Sequence, residues 1–99
     1  AINARAIEIH KKFEMFREKV TSVIDGNMEM PLAEELYEYA EALCVAAEFT
    51  KQKTDMMLQV SKIPGSVKFT DFTEIGKKEQ DALVCCQLTG DKLTGLFYL

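Results

Sequence analysis

The chain has 99 residues, 47% apolar and 28% charged, with a net charge of −4 and a pI near 5.0. That balance excludes wholesale disorder, which needs low hydrophobicity with high net charge. It also excludes a general DNA- or RNA-binding surface, which needs clustered Lys and Arg. One domain over 1–99 is implied, with a core that is marginal unless a partner or a second copy adds buried area.

Three cysteines, Cys44, Cys85 and Cys86, are too few and too oddly spaced for a disulfide framework, so a reducing cytoplasm is the expected setting. No apolar run reaches bilayer-spanning length, and Arg5, Glu8, Lys11 and Lys12 stand where a signal peptide would be apolar. No membrane contact is expected.

Over residues 1–24 the apolar positions Ile2, Ala6, Ile9, Phe13, Phe16, Val20 and Val23 alternate spacings of four and three. This is the heptad signature of a helix that keeps one seam against a partner. Ile7, Met15 and Ile24 widen the seam into the stripe of a bundle helix. Asp25, Gly26 and Asn27 then break the helix, and Pro31 suits the first turn of the next.

Residues 31–63 contain no internal Gly or Pro and read as one long helix. Small residues recur every seventh place at Ala33, Ala40, Ala47, Thr54 and Ser61, and Leu36, Leu43, Thr50 and Met57 run beside them. A stripe of small side chains allows close helix approach, so the pattern predicts a long antiparallel, coiled-coil-like hairpin with a small-residue seam. Charge agrees. Residues 1–24 carry five basic and three acidic side chains, whereas 25–50 carry seven acidic and no basic ones. Arg17 and Lys19 are expected near Glu34, Glu35 and Glu38. By residue count the second helix outruns the first by roughly two turns of ~3.6 residues. Met56, Met57, Leu58 and Val60 on that overhang then need another cover.

Pro64-Gly65 marks a turn. Ser66 to Phe72 reads as an extended strap, 73–89 as a short helix, Gly90-Asp91 as a second turn and 93–99 as an apolar tail. The tail residues Leu93, Leu96, Phe97, Tyr98 and Leu99 are expected to dock on the Met56-Met57-Val60 overhang or to serve a partner as a recognition peptide. The predicted fold class is all-α: the hairpin closed by a strap and a short C-terminal helix.

No spacing of residues specifies a reaction. His10 is the single histidine and has no second His or Cys at ligand distance in sequence, so it reads as a solvated helix residue, and no metal or cofactor is expected. Glu34, Glu38 and Glu41 lack the Glu-x-x-His partners of di-iron bundles. Cys85 and Cys86 are adjacent, diverge on a helix and cannot form a C-x-x-C redox pair. Phosphate-binding and nucleophile-elbow motifs are absent, which argues against an enzyme.

Lys62-Ile63-Pro64-Gly65-Ser66-Val67 resembles the end of the last long helix in the Hha family of bacterial nucleoid-associated modulators. The likeness covers six residues, with no match in upstream spacing, and implies no membership. The terminal Gly-Leu-Phe-Tyr-Leu is similar to sliding-clamp docking peptides in apolar character only, because Asp91 and Thr94 occupy their glutamine and aliphatic positions.

The function expected is a non-enzymatic helical interaction module of the small acidic chaperone or adaptor type. It would associate with itself, a dimer being favoured, or escort an amphipathic partner helix. The seam expected to carry this comprises Ala33, Leu36, Ala40, Leu43, Ala47, Met56, Met57 and Val60. The alternative is a regulatory subunit of a bacterial or phage nucleic-acid-associated complex that acts through protein contacts, without touching nucleic acid.

Overall fold

A computed structural model describes residues 3–26 and 32–97. Three helices follow in order, α1 Ala4–Gly26, α2 Ala33–Lys62 and α3 Phe69–Phe97. The all-α class and the helical hairpin are as the heptad patterns predict. Leu32 enters α2 in the left-handed region at φ 62, and its carbonyl accepts from the Leu36 N–H at 2.9 Å. Glu34 and Glu35 occupy the first turn, where the helix dipole favours negative charge. Pro31, the expected start, lies outside the described residues. At the other end Ile63 turns extended and Gly65 takes φ +83, the left-handed conformation a side chain would resist.

Three polar pairs fix the α1–α2 register. Asn3 Nδ2 donates to Asp55 at 2.6 Å, His10 Nε2 lies 2.9 Å from Glu48, and Arg17 Nη1 lies 3.2 Å from Glu41. Both sets step by seven residues, so one polar position per heptad repeats along the whole hairpin. Such pairs specify alignment more than stability. The observed partner of Arg17 corrects the expected pairing with Glu34, Glu35 and Glu38 by about one turn. In this register Ala4 stands level with Thr54, and α2 does run on for roughly two turns at ~3.6 residues each.

α3 departs most from expectation. The helix predicted over 73–89 spans Phe69–Phe97 without interruption, and the strap shrinks to residues 63–68. Gly90, expected in a turn, lies inside this helix. A Cβ there would sit 3.1 Å from Tyr39 Cε1, so the glycine serves close packing of α3 on α2 rather than a turn. The hydroxyls of Thr73 and Thr89 donate back to the carbonyls of Phe69 and Cys85 within the helix, both at 2.9 Å.

Because α3 runs antiparallel to α2, its C-terminal end lies beside the start of α2, where Lys92 Nζ is 3.9 Å from Glu38. Leu93 and Leu96 are thereby carried to the end opposite Met57 and Val60, which corrects the expected tail docking. Val67, Phe69 and Phe72 approach the overhang instead. Tyr98 and Leu99 lie outside the described residues, as does the Phe97 side chain.

α2 is the middle element. Both α1 and α3 pack on it, and among the described residues they do not pack on each other. The result is an open layer measuring 53 × 22 × 17 Å, with a radius of gyration of 16.3 Å. A compact chain of this length would have about 13 Å. Its interior is made of small side chains: Ala6, Val20, Ala40, Ala42, Cys44, Ala46, Ala47 and Ala82 are buried, and among the described residues no large side chain is fully so. Larger groups stay outside, including Ile9, Phe16, Val23, Met57 and Leu83.

Candidate interaction surface

The two broad sides of the layer differ chemically. At 100° per residue, Leu43, Ala47 and Thr50 point to one side of α2, and Val45, Glu48 and Phe49 to the other. On the first side a groove of about 290 Å³ is lined by Ala6, Ile9 and Phe13 of α1, Leu43, Ala46, Ala47 and Thr50 of α2, and Leu83 and Cys86 of α3. Among the described residues no charged one lines it. On the second side one hollow is bordered by His10, Glu14, Arg17 and Glu48, and another, of about 390 Å³, has Glu38 and Glu41 at the edge of a lining of Tyr37, Ala42, Val45, Ala82 and Cys85. The heptads explain the division. Ala6 and Val20 take the buried half of the α1 seam, leaving Ile9, Phe16 and Val23 on the groove side and Phe13 half-buried between.

The expected seam residues are placed in two groups. Ala40, fully buried, and Ala47 lie within the helix contacts, Leu43 and Ala47 floor the groove, and Ala33 and Leu36 are half-buried. Met57 and Val60 belong to a separate hollow of about 510 Å³ with Val67, Phe69 and Phe72, and Met56 is half-buried. Leu83 and Cys86, which the sequence puts with Ile75 and Ala82 on one apolar face of α3, join the groove although they are not among the expected seam residues.

The polar groups near the groove are engaged. Glu79 is held by Lys53 Nζ at 3.0 Å and stands beside the Thr50 hydroxyl. Burial pushes its carboxyl up, but the nearby Thr50 hydroxyl and the hydrogen-bonded Lys53 ammonium outweigh that and leave it below the usual carboxylate range. Burial pushes the Cys86 thiol up, aided by Cys85. It also raises the Cys44 thiol, and the neighbouring Arg17 only partly offsets this. Such thiols are poor nucleophiles.

His10 is not the solvated residue expected. Its side chain is 16% exposed, with Nδ1 3.0 Å from Glu14 and Nε2 2.9 Å from Glu48.

Among the described residues no cluster of His, Cys, Asp and Glu is arranged to hold a metal ion, and no helix is long and apolar enough to cross a membrane. Searches against protein-family models, curated proteins and solved structures return no match.

Proposed function

We propose that this chain is a non-enzymatic helical interaction module whose working part is the uncharged groove face. It acts by burying that face against another helical surface, either a second copy or an amphipathic partner helix. One observation carries the reading: the helices bury alanines against each other and hold Ile9, Phe16, Val23 and Leu83 at the surface beside a groove without charge. Monomeric proteins rarely leave a continuous apolar patch of this kind uncovered. The engagement of His10 in the hairpin register, and of Cys44 in packing, agrees with a non-catalytic role. Free Cys44, Cys85 and Cys86 suit a reducing cytoplasm.

The test is light scattering on the full chain, combined with binding of a fluorescent dye that reports apolar surface. The face should either be covered by association or bind dye, and Ile9→Glu should change whichever is seen. A chain that neither associates nor binds dye refutes the proposal.

A further inference from the structure

Resting on the interaction-module reading, we infer that the partner is a second copy of this chain. The two groove faces stack about a two-fold axis running along the helices, so that α1 of each copy lies over α3 of the other and α2 lies over α2.

Area is the first argument. The chain exposes 7007 Å². A compact monomer of 11.2 kDa exposes about 5,700 Å², which leaves an excess of roughly 1,300 Å². A stable interface takes about 800 Å² from each partner, and obligate homodimers take more. The groove face can supply this. The 23 residues of α1 at ~1.5 Å each span roughly 34 Å, and with the 22 Å width of the layer the footprint is about 750 Å² before side-chain relief is counted.

Width argues for a second layer over a single foreign helix. A helix with its side chains is about 10–12 Å across and would leave nearly half of the 22 Å face wet. The exposed apolar groups reach from Phe16 and Val23 on α1 to Leu83 on α3, and a second three-helix layer spans that distance.

Charge then selects the orientation. Arg5, Lys12 and Lys19 are exposed, recur every seven residues and border the α1 side of the face one turn before Ile9, Phe16 and Val23. Glu8, 3.2 Å from Lys12, offsets part of this row. Stacking α1 on α1 would set two such rows against each other, and like charges facing across an interface disfavour that docking. The α3 border beside Leu83 carries the neutral amides of Gln80 and Gln87, both exposed. Crossing α1 over α3 avoids the repulsion.

The experiment is light scattering of the full chain across a concentration series, with circular dichroism to verify helicity. Wild type should show twice the 11.2 kDa chain mass. Ile9→Glu and Leu83→Lys alter side chains already 37% and 46% exposed, so the single chain should still fold. Each should weaken the dimer at least tenfold, whereas Val45→Glu on the opposite side should leave it intact. Combining Ile9→Glu with Leu83→Lys should recover dimer, because the new carboxylate of one copy faces the new ammonium of the other. A wild-type mass of 11.2 kDa at all concentrations overturns the inference. So does a dimer indifferent to both single changes. A double variant weaker than either single overturns the orientation by indicating α1 on α1. A monomer that binds apolar dye, and loses it with Ile9→Glu, refutes the second copy while leaving the interaction-module reading standing; a monomer without dye binding removes both.

Discussion

The glycines of α3 separate two effects that usually come mixed. Gly76, Gly90 and Gly95 all lie inside the helix. Replacing a helix-interior glycine by alanine gains about 0.8–1.0 kcal/mol of helix propensity. At Gly76 a new Cβ meets nothing within 4 Å, so the gain should be kept. A domain of this size shifts its melting temperature by ~4–8 °C per kcal/mol, so Gly76→Ala should raise it by about that amount. At Gly90 the same Cβ would lie 3.1 Å from Tyr39 Cε1 and 3.7 Å from Cδ1. Comfortable carbon contacts begin near 3.5 Å, so the half-buried ring must retreat by a few tenths of an ångström. Overpacking of this kind costs about 1–3 kcal/mol, which cancels or exceeds the propensity gain. Melts followed by far-UV circular dichroism at one fixed protein concentration decide the matter. Gly90→Ala should be neutral or destabilising, and combining it with Tyr39→Ala should recover the gain relative to Tyr39→Ala alone. If Gly90→Ala stabilises as much as Gly76→Ala, close α2–α3 packing at Tyr39 is wrong.

Three further outcomes are expected. Ala40→Leu and Ala47→Leu should each cost about 1–3 kcal/mol in thermal melts, since Ala40 is 0% and Ala47 6% exposed; unchanged melting would mean that the alanine stripe is not confined. Glu79→Gln should cost about 1.5–3 kcal/mol at neutral pH, the usual worth of a hydrogen bond to a charged group. The folded carboxyl titrates below its unfolded value of ~4.3, so its contribution is fully present above that pH and is lost as pH falls through the lower folded value. The wild-type advantage in denaturant melts must therefore shrink on acidification through that window, and a constant gap contradicts the assigned environment. Cysteine labelling read by peptide mass should find Cys85 fast and Cys44 protected until unfolding; equal rates would contradict the burial of Cys44.

The hairpin was legible because its information is periodic. Heptad repeats in 1–24 and 31–63 specify helices, faces and a partner-facing seam before any contact is known. The register was less so, because net charge predicts that the helices attract but not which residues meet. The needed signal was the seven-residue recurrence of Asn3, His10 and Arg17 opposite Glu41, Glu48 and Asp55. α3 was misread because local rules treat glycine as a turn residue, and only the tertiary position of Tyr39 shows that Gly90 is spared a side chain for packing. The groove itself could not be foreseen, because it requires α1 and α3 to share α2 while remaining apart.

The same stripe that brings these helices close also limits what their contact can supply. A buried methyl group contributes on the order of 0.8 kcal/mol, whereas a fully buried Leu, Ile or Phe contributes about 1.5–3 kcal/mol. Against ordering costs of about 1.5 kcal/mol per residue, a wholly buried set made of six alanines, one cysteine and one valine cannot carry the fold. The balance comes from half-buried side chains such as Phe13, Leu36 and Leu43, to which the proposed cover over Ile9, Phe16 and Leu83 would add. On the proposed reading, folding and association draw on the same apolar face. Binding to the folded form alone raises apparent stability with partner concentration. The surface assigned to recognition is therefore also the part of the molecule on which its stability most depends, and in a self-associating chain melting temperature should rise with protein concentration.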